Sequence, residues 1–251
     1  MRTPRAVVFD TDGVLLPTAA RHAAAWKETF DGCLLPWARR SGGRPRAFDA
    51  VREYRELVDG RSRLDGVRAF LAARRIDLPP GEPGDPPGCD TVQAVAHRKE
   101  RIFSEMVRTE APRAFDDVRP ALLGLRDMRV GCAAVSASRH ARSLLEAAGL
   151  ADWFEVIVDG AEAQERGLAG KPAPALFLEA AGRLGVGPED AAVVEDALVG
   201  VEAGRRGRFG LVVGIDRDGD PRTADALRAH GAHLVLSGLG GLPAALEGSL
   251  P

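Results

Sequence analysis

Two aspartates, Asp10 and Asp12, follow the short apolar run Ala6-Val7-Val8-Phe9. Three comparable places occur farther along the chain. Ser136 follows the apolar residues 130–135, Lys171 lies in Gly170-Lys171-Pro172, and the acidic pair Glu195-Asp196 follows residues 191–194. These residue types suit phosphoryl chemistry. Carboxylates from two separate segments bind a hard cation, and Mg²⁺ is the natural choice for oxygen ligands. The candidate ligands are Asp10, Asp12, Glu195 and Asp196. A lysine and a hydroxyl beside such an ion make a phosphate site. A carboxylate is also a covalent phosphoryl acceptor, the role open to Asp10. Asp12 would protonate the leaving oxygen and later deprotonate the acceptor.

These residues need a scaffold that gathers them. Residues 5–10, 130–135, 154–158, 191–194, 211–213 and 233–236 are short, apolar and rich in β-branched side chains, the pattern of buried parallel strands. Helical spacing occupies residues 137–148 and 173–184 between them. Strand alternating with helix predicts an α/β fold with a Rossmann-like parallel sheet. In such sheets ligands bind beyond the carboxyl ends of the strands, where the candidates stand.

Residues 17–116 read differently. Helical patterns cover 18–30, 47–58, 65–74 and 91–108, with no convincing strand. A stretch rich in proline and glycine, residues 78–88, reads as a loop. The expected organisation is a core of residues 1–16 and 117–251 with an inserted α-helical domain, residues 17–116. Two crossings between such domains permit hinge closure. From Pro36 to Arg75 eleven arginines stand against five acids. That surplus reads as a solvated face or as a lid that attracts an anion.

Composition narrows the classes. Of 251 residues, 45% are apolar and 28% charged, with a net charge of -2, which excludes a wholly disordered chain and argues against a dedicated nucleic-acid binder. No apolar run approaches the roughly 18 residues of a membrane span. The first residues lead straight into the first strand without a signal-peptide pattern, so a cytoplasmic protein is expected. Cys33, Cys89 and Cys132 are too few and scattered for a disulfide frame or a zinc site, and read as idle thiols in a reducing compartment. A monomer is the plain expectation.

The set Val8-Phe9-Asp10-Thr11-Asp12-Gly13-Val14, Val135-Ser136-Ala137-Ser138, Gly170-Lys171-Pro172 and Val194-Glu195-Asp196-Ala197 resembles the four motifs of the haloacid dehalogenase-like phosphotransferase superfamily. The resemblance covers residues 5–16 and 117–237. It implies a Rossmann-like core with a helical cap, Mg²⁺, and an aspartyl-phosphate at Asp10. It assigns Asp10, Asp12, Ser136 and Lys171 to the chemistry and Ala137 and Ser138 to substrate binding. Residues 18–27, Gly60-Arg61-Ser62-Arg63 and Arg98-Lys99 are similar to the cap of the β-phosphoglucomutase branch. That similarity implies that His22 helps to control Asp12, that Arg63 binds the phosphate far from Asp10, and that Lys99 touches substrate. Gly200 and Ala203 also fit the branch.

Four residues depart from its pattern. Thr11 replaces leucine, Pro17 an aspartate at the cap hinge, Glu100 an asparagine beside the expected anion site, and His140 an asparagine beside the phosphate loop. The insert at 32–46 and the loop at 78–88 lengthen the cap, as in relatives associated with disaccharide phosphorylases. The expected activity is Mg²⁺-dependent conversion of β-glucose 1-phosphate to glucose 6-phosphate. The alternative is hydrolysis of a small sugar or polyol phosphate. A phosphate-sensing module without activity is disfavoured by the intact Asp10, Asp12, Lys171 and Asp196.

Overall fold

A computed structural model describes residues 3–41, 46–109 and 112–248. The chain forms two compact units, Met1–Pro17 with Pro112–Pro251, and Thr18–Ala111.

The first unit is built on six parallel strands: β1 (Ala6–Asp10), β2 (Gly131–Val135), β3 (Val156–Val158), β4 (Ala191–Glu195), β5 (Leu211–Ile215) and β6 (Leu234–Leu236). Their order is β3-β2-β1-β4-β5-β6. Every predicted strand is present. The sheet is a doubly wound α/β sheet, and its order reverses between β1 and β4, where such folds open a crevice at the carboxyl ends. Residues of β1 and β4 are buried throughout, which is why both read as continuous apolar runs rather than alternating ones. Phe177, Ala180, Ala181, Val201 and Leu227 pack on Val8, Val135, Val193 and Val212 to form the core.

Two helices of this unit start where a side chain satisfies their first amides. Asp159 accepts from the amides of Ala161 and Glu162 ahead of a short helix over Gly160–Glu165. Asp220 does the same for Arg222, with Pro221 in the first turn of Pro221–His230. Of the helix expected over 137–148, only Ala141–Ala147 forms. The Ser136 hydroxyl accepts from the Ser138 amide and the Ser138 hydroxyl from the His140 amide, which holds the preceding residues as a loop.

The second unit is helical: α1 (Ala19–Ser41), α2 (Arg63–Arg74) and α3 (Val92–Thr109). Its core is aromatic. Phe30 stacks on Phe70 at 3.8 Å between centroids, with Trp26, Trp37 and Phe48 around them. Two expectations are corrected here. Helix α1 continues past residue 30 and through Pro36, because Cys33 and Trp37 are buried and the Trp37 indole donates to the Cys89 carbonyl at 2.7 Å. The helix expected over 47–58 shrinks to one π-helical turn, Tyr54–Val58. The Asp49 carboxylate takes the amides of Val51 and Arg52, and Glu53 takes the amide of Asp49, the bonds of a cap, so the helical turns begin only after Asp49.

The cysteine expectation is also corrected. Cys33 and Cys89 form a disulfide that ties α1 to the end of the proline-rich loop. Fifty-six positions separate them in sequence, and only the return of that loop onto α1 makes them neighbours. Cys132 alone is a free thiol, buried in β2, where burial and then Glu155 push its pKa up to about 12.

Arginines of the basic stretch are partly spent on structure. Arg74 and Arg46 both donate to the buried Glu53 carboxylate, and Arg68 pairs with Asp65. Arg44 and the rest of 42–45 lie outside the described residues, as does the Arg40 side chain. Burial alone would raise the Glu53 carboxyl. The Arg74 bonds, the Asp49 amide and the charges of both arginines outweigh it and hold Glu53 below the usual carboxylate range. Its stabilisation is therefore present in full above the ordinary glutamate pKa and is lost as the pH falls through the lowered value. Glu53→Gln leaves Arg74 without its counter-charge and should cost about 3 kcal/mol in urea denaturation at pH 7. The difference from wild type should shrink as the pH falls from the ordinary glutamate range towards the lowered value, where wild-type Glu53 takes up its proton.

Candidate functional site

The carboxyl ends of β1, β2 and β4 bring together the residues singled out in the sequence. Asp10 closes β1 and is 5% exposed. One of its oxygens accepts from the Asp12 amide at 2.9 Å, and the other from the Lys171 ammonium. The same ammonium donates to Glu195 at the end of β4. Lys171 thus lies between two carboxylates, itself buried, with the Phe177 ring 4.9 Å below its nitrogen. The other Glu195 oxygen accepts from the Ala197 amide at 2.7 Å. Ser136, at the end of β2, donates its hydroxyl proton to the Asp12 carboxylate at 2.7 Å. Ala137 and Ser138 continue this loop, and the Ser138 carbonyl accepts from the Gly160 amide.

Charge is out of balance in this pocket of side chains. Burial pushes the Asp10 carboxyl well above its usual range; Lys171 opposes this, and Glu195 and Asp12 add to it. Burial likewise works against the Lys171 ammonium, but Asp10 and Glu195 outweigh it and hold its pKa above the ordinary lysine range. Lys171 is therefore a fixed cation, and the carboxylates still outnumber it. Side-chain oxygens of Asp10, Glu195 and Asp196 lie within 4.8 Å of one another. An all-oxygen set with surplus negative charge fits a hard divalent cation. Of the four candidate ligands, Asp12 stands apart, its carboxylate engaged by Ser136 rather than grouped with the other three.

Two glycines make this approach possible. A Cβ on Gly13, whose φ is +82°, would lie 1.8 Å from an Asp196 oxygen. A Cβ on Gly200 would lie 1.7 Å from a Glu195 oxygen. Gly13 is doubly required, by conformation and by space. Gly200 is helical, so space alone demands it.

Other positions were not legible as functional. Thr11 replaces an expected leucine without leaving a buried polar group unpaired, because its hydroxyl donates to the Val135 carbonyl at 3.0 Å. Arg217, after β5, donates to the carbonyls of Gly13 and Val14 and forms a two-point ion pair with Asp117. It also stacks on Phe115 at 3.6 Å. It holds the loop that carries Asp12 and Gly13. No residue spacing marks an arginine 200 positions away for this duty.

The remaining candidates belong to the helical unit. Lys99 and His22 are buried, and the Lys99 nitrogen lies 2.8 Å from His22 Nδ1. Phe103 stacks on the His22 ring at 3.9 Å. Arg63, at the start of α2, pairs with Glu100 of α3 at 2.8 Å.

A model of the haloacid dehalogenase-like hydrolases matches residues 4–208. The chain is 44% identical over 235 residues to a β-phosphoglucomutase of Mycobacterium bovis, covering 94% of this chain and 90% of that protein. It is 36% identical over 236 residues to an uncharacterised glycosyl hydrolase of Mycobacterium tuberculosis, covering 93% of this chain but 17% of that protein. Among solved structures, a hydrolase of Deinococcus radiodurans with bound phosphate and sodium is 30% identical, with a TM-score of 0.66 over 99% of this chain and 97% of the other.

Gly200→Ala tests whether Glu195 is held in place by the absence of a side chain. We expect it to lower turnover at least tenfold, since buried Glu195 must move. Gly182→Ala, in the helix Ala175–Arg183, meets nothing within 4 Å. It should leave activity unchanged and stabilise the fold by about 0.5–1 kcal/mol. Equal activity in the two variants would refute the steric reading.

Proposed function

The chain belongs to the haloacid dehalogenase-like hydrolase family, and we propose that it is a β-phosphoglucomutase-type phosphotransferase working through Asp10. The observation that carries this reading is Asp10 itself. It is a buried carboxylate at a strand end, oriented by Lys171 and the Asp12 amide, with Asp12 and Ser136 beside it. The 44% identity to a β-phosphoglucomutase supports the choice of reaction.

An oxygen of Asp10 attacks phosphorus, and the bond from phosphorus to the sugar oxygen breaks. The leaving oxygen takes its proton from Asp12, whose carboxyl group is aimed by the Ser136 hydroxyl. In the reverse sense Asp12 removes a proton from the accepting hydroxyl, and the phosphoryl group leaves Asp10. Lys171 stays protonated and faces the charge that builds on the phosphoryl oxygens. Mg²⁺ would be held by Asp10, Glu195 and Asp196, with Asp12 alongside, and would supply charge neutralisation at the phosphoryl oxygens.

In this reading a hexose 1-phosphate takes the phosphoryl group from Asp10 to become a bisphosphate. The bisphosphate then returns its other phosphate to Asp10. Such a cycle needs a second phosphate site, which we assign to Arg63 in the helical unit, read as the cap. His22 and Lys99 form the neighbouring polar pair. The substrate is a small sugar phosphate, and the protein is read as a cytoplasmic monomer. No helix among the described residues is long and apolar enough to cross a membrane.

One observation favours a second reading, hydrolysis of a sugar monophosphate. Arg63 already has a carboxylate partner in Glu100, which burdens a distal phosphate site. The related hydrolase with bound phosphate is compatible with that alternative.

Asp10→Asn removes the nucleophile with little change of volume. Turnover should fall by at least about 10³-fold with an unchanged circular dichroism spectrum. Normal turnover would sink the mechanism. Arg63→Ala should weaken bisphosphate binding by roughly tenfold or more while sparing hydrolysis of a monophosphate. An equal effect on both substrates would exclude Arg63 as the distal site.

A further inference from the structure

The start of α2 is a place of mismatched charge. Arg61 and Arg63 flank the N-cap Ser62, and the Nε of each is buried without a hydrogen-bond partner. An arginine in the first turn also works against the positive end of the helix dipole, which favours an anion there. Among the described residues, Glu100 supplies the carboxylate that pairs with Arg63, through one terminal nitrogen. The Arg63 side chain is 15% exposed and that of Glu100 24%, so the pair is only lightly screened. Glu100 follows Lys99 directly on α3, and Lys99 is the buried partner of His22. A guanidinium grips a phosphate best through two parallel N–H bonds. Glu100 takes one terminal nitrogen, so the edge left for a two-point grip, Nε with the other terminal nitrogen, lies beside the Glu100 carboxylate.

We propose that Glu100 is a specificity-determining residue, a built-in competitor for the second phosphate of a sugar bisphosphate. The inference rests on the mutase reading, in which Arg63 takes that phosphate. A phosphate dianion that reaches Arg63 must displace the Glu100 carboxylate or share the guanidinium with it. Either event costs affinity, since two like charges then face each other in a partly desolvated place. The bisphosphate is thereby held loosely enough to turn round and present its other phosphate to Asp10. A monophosphate seated with its phosphate at Asp10 leaves Arg63 empty and is indifferent to Glu100, whereas a hexose 1-phosphate that accepts from Asp10 places its own phosphate at Arg63 and meets Glu100 as the bisphosphate does.

The test measures binding of β-glucose 1,6-bisphosphate by calorimetry in the Asp10→Asn protein, where it cannot be consumed. Glu100→Gln keeps the shape and removes the charge. The dissociation constant should fall about tenfold, equivalent to about 1.4 kcal/mol. With Arg63→Ala also present, the gain from Glu100→Gln should vanish, because the two residues act as one unit. An unchanged or larger dissociation constant in Glu100→Gln would overturn the proposal, as would a gain that survives Arg63→Ala. Absence of any bisphosphate binding to the Asp10→Asn protein, with Glu100 present or replaced, would remove the mutase reading and this inference with it.

Discussion

A buried lysine between two buried carboxylates is expensive unless all three are paired, and here each is. Lys171 donates to Asp10 and Glu195, Asp10 accepts the Asp12 amide, and Glu195 accepts the Ala197 amide. The bonds cross three separate segments, the ends of β1 and β4 and the loop that carries Lys171. The sheet order makes this possible. β1 and β4 are neighbours at the point where the order reverses, so their last residues face one crevice. Gly13 and Gly200 exist as glycines because Asp196 and Glu195 occupy the space their side chains would need. The architecture therefore concentrates negative charge with one fixed cation, an arrangement suited to a divalent cation and a phosphate.

Much of this was legible in the residue order. Continuous apolar runs marked the strands, because strands buried on both faces do not alternate. The chemistry-bearing residues stood at the ends of those runs, so the strand assignment also gathered the candidate site residues. Asp10, Asp12, Ser136, Lys171, Glu195 and Asp196 were each ambiguous singly and informative as an ordered set.

What was not legible depends on contacts distant in sequence. The Cys33–Cys89 disulfide and the continuation of α1 through Pro36 both follow from the proline-rich loop folding back, which no local pattern records. Arg217 reaches the Gly13 and Val14 carbonyls from the loop after β5, two strands away from β1. Residues 47–51 stay outside the expected helix for the opposite reason. Asp49 and Glu53 bond their own neighbourhood, and apolar spacing cannot count such bonds. Glu100 looked like a departure from the cap pattern and gained meaning only through its contact with Arg63.

Transfer to a second sugar oxygen and transfer to water begin with the same attack on phosphorus and part only at the acceptor. The most direct measurement follows both products in one tube. Purified protein is mixed with Mg²⁺, β-glucose 1-phosphate and a trace of the 1,6-bisphosphate, and glucose 6-phosphate and inorganic phosphate are measured together. Glucose 6-phosphate accumulating without matching free phosphate is the result expected of a mutase acting through Asp10. Free phosphate alone would contradict it and make the protein a phosphatase; neither product would show that β-glucose 1-phosphate is not its substrate.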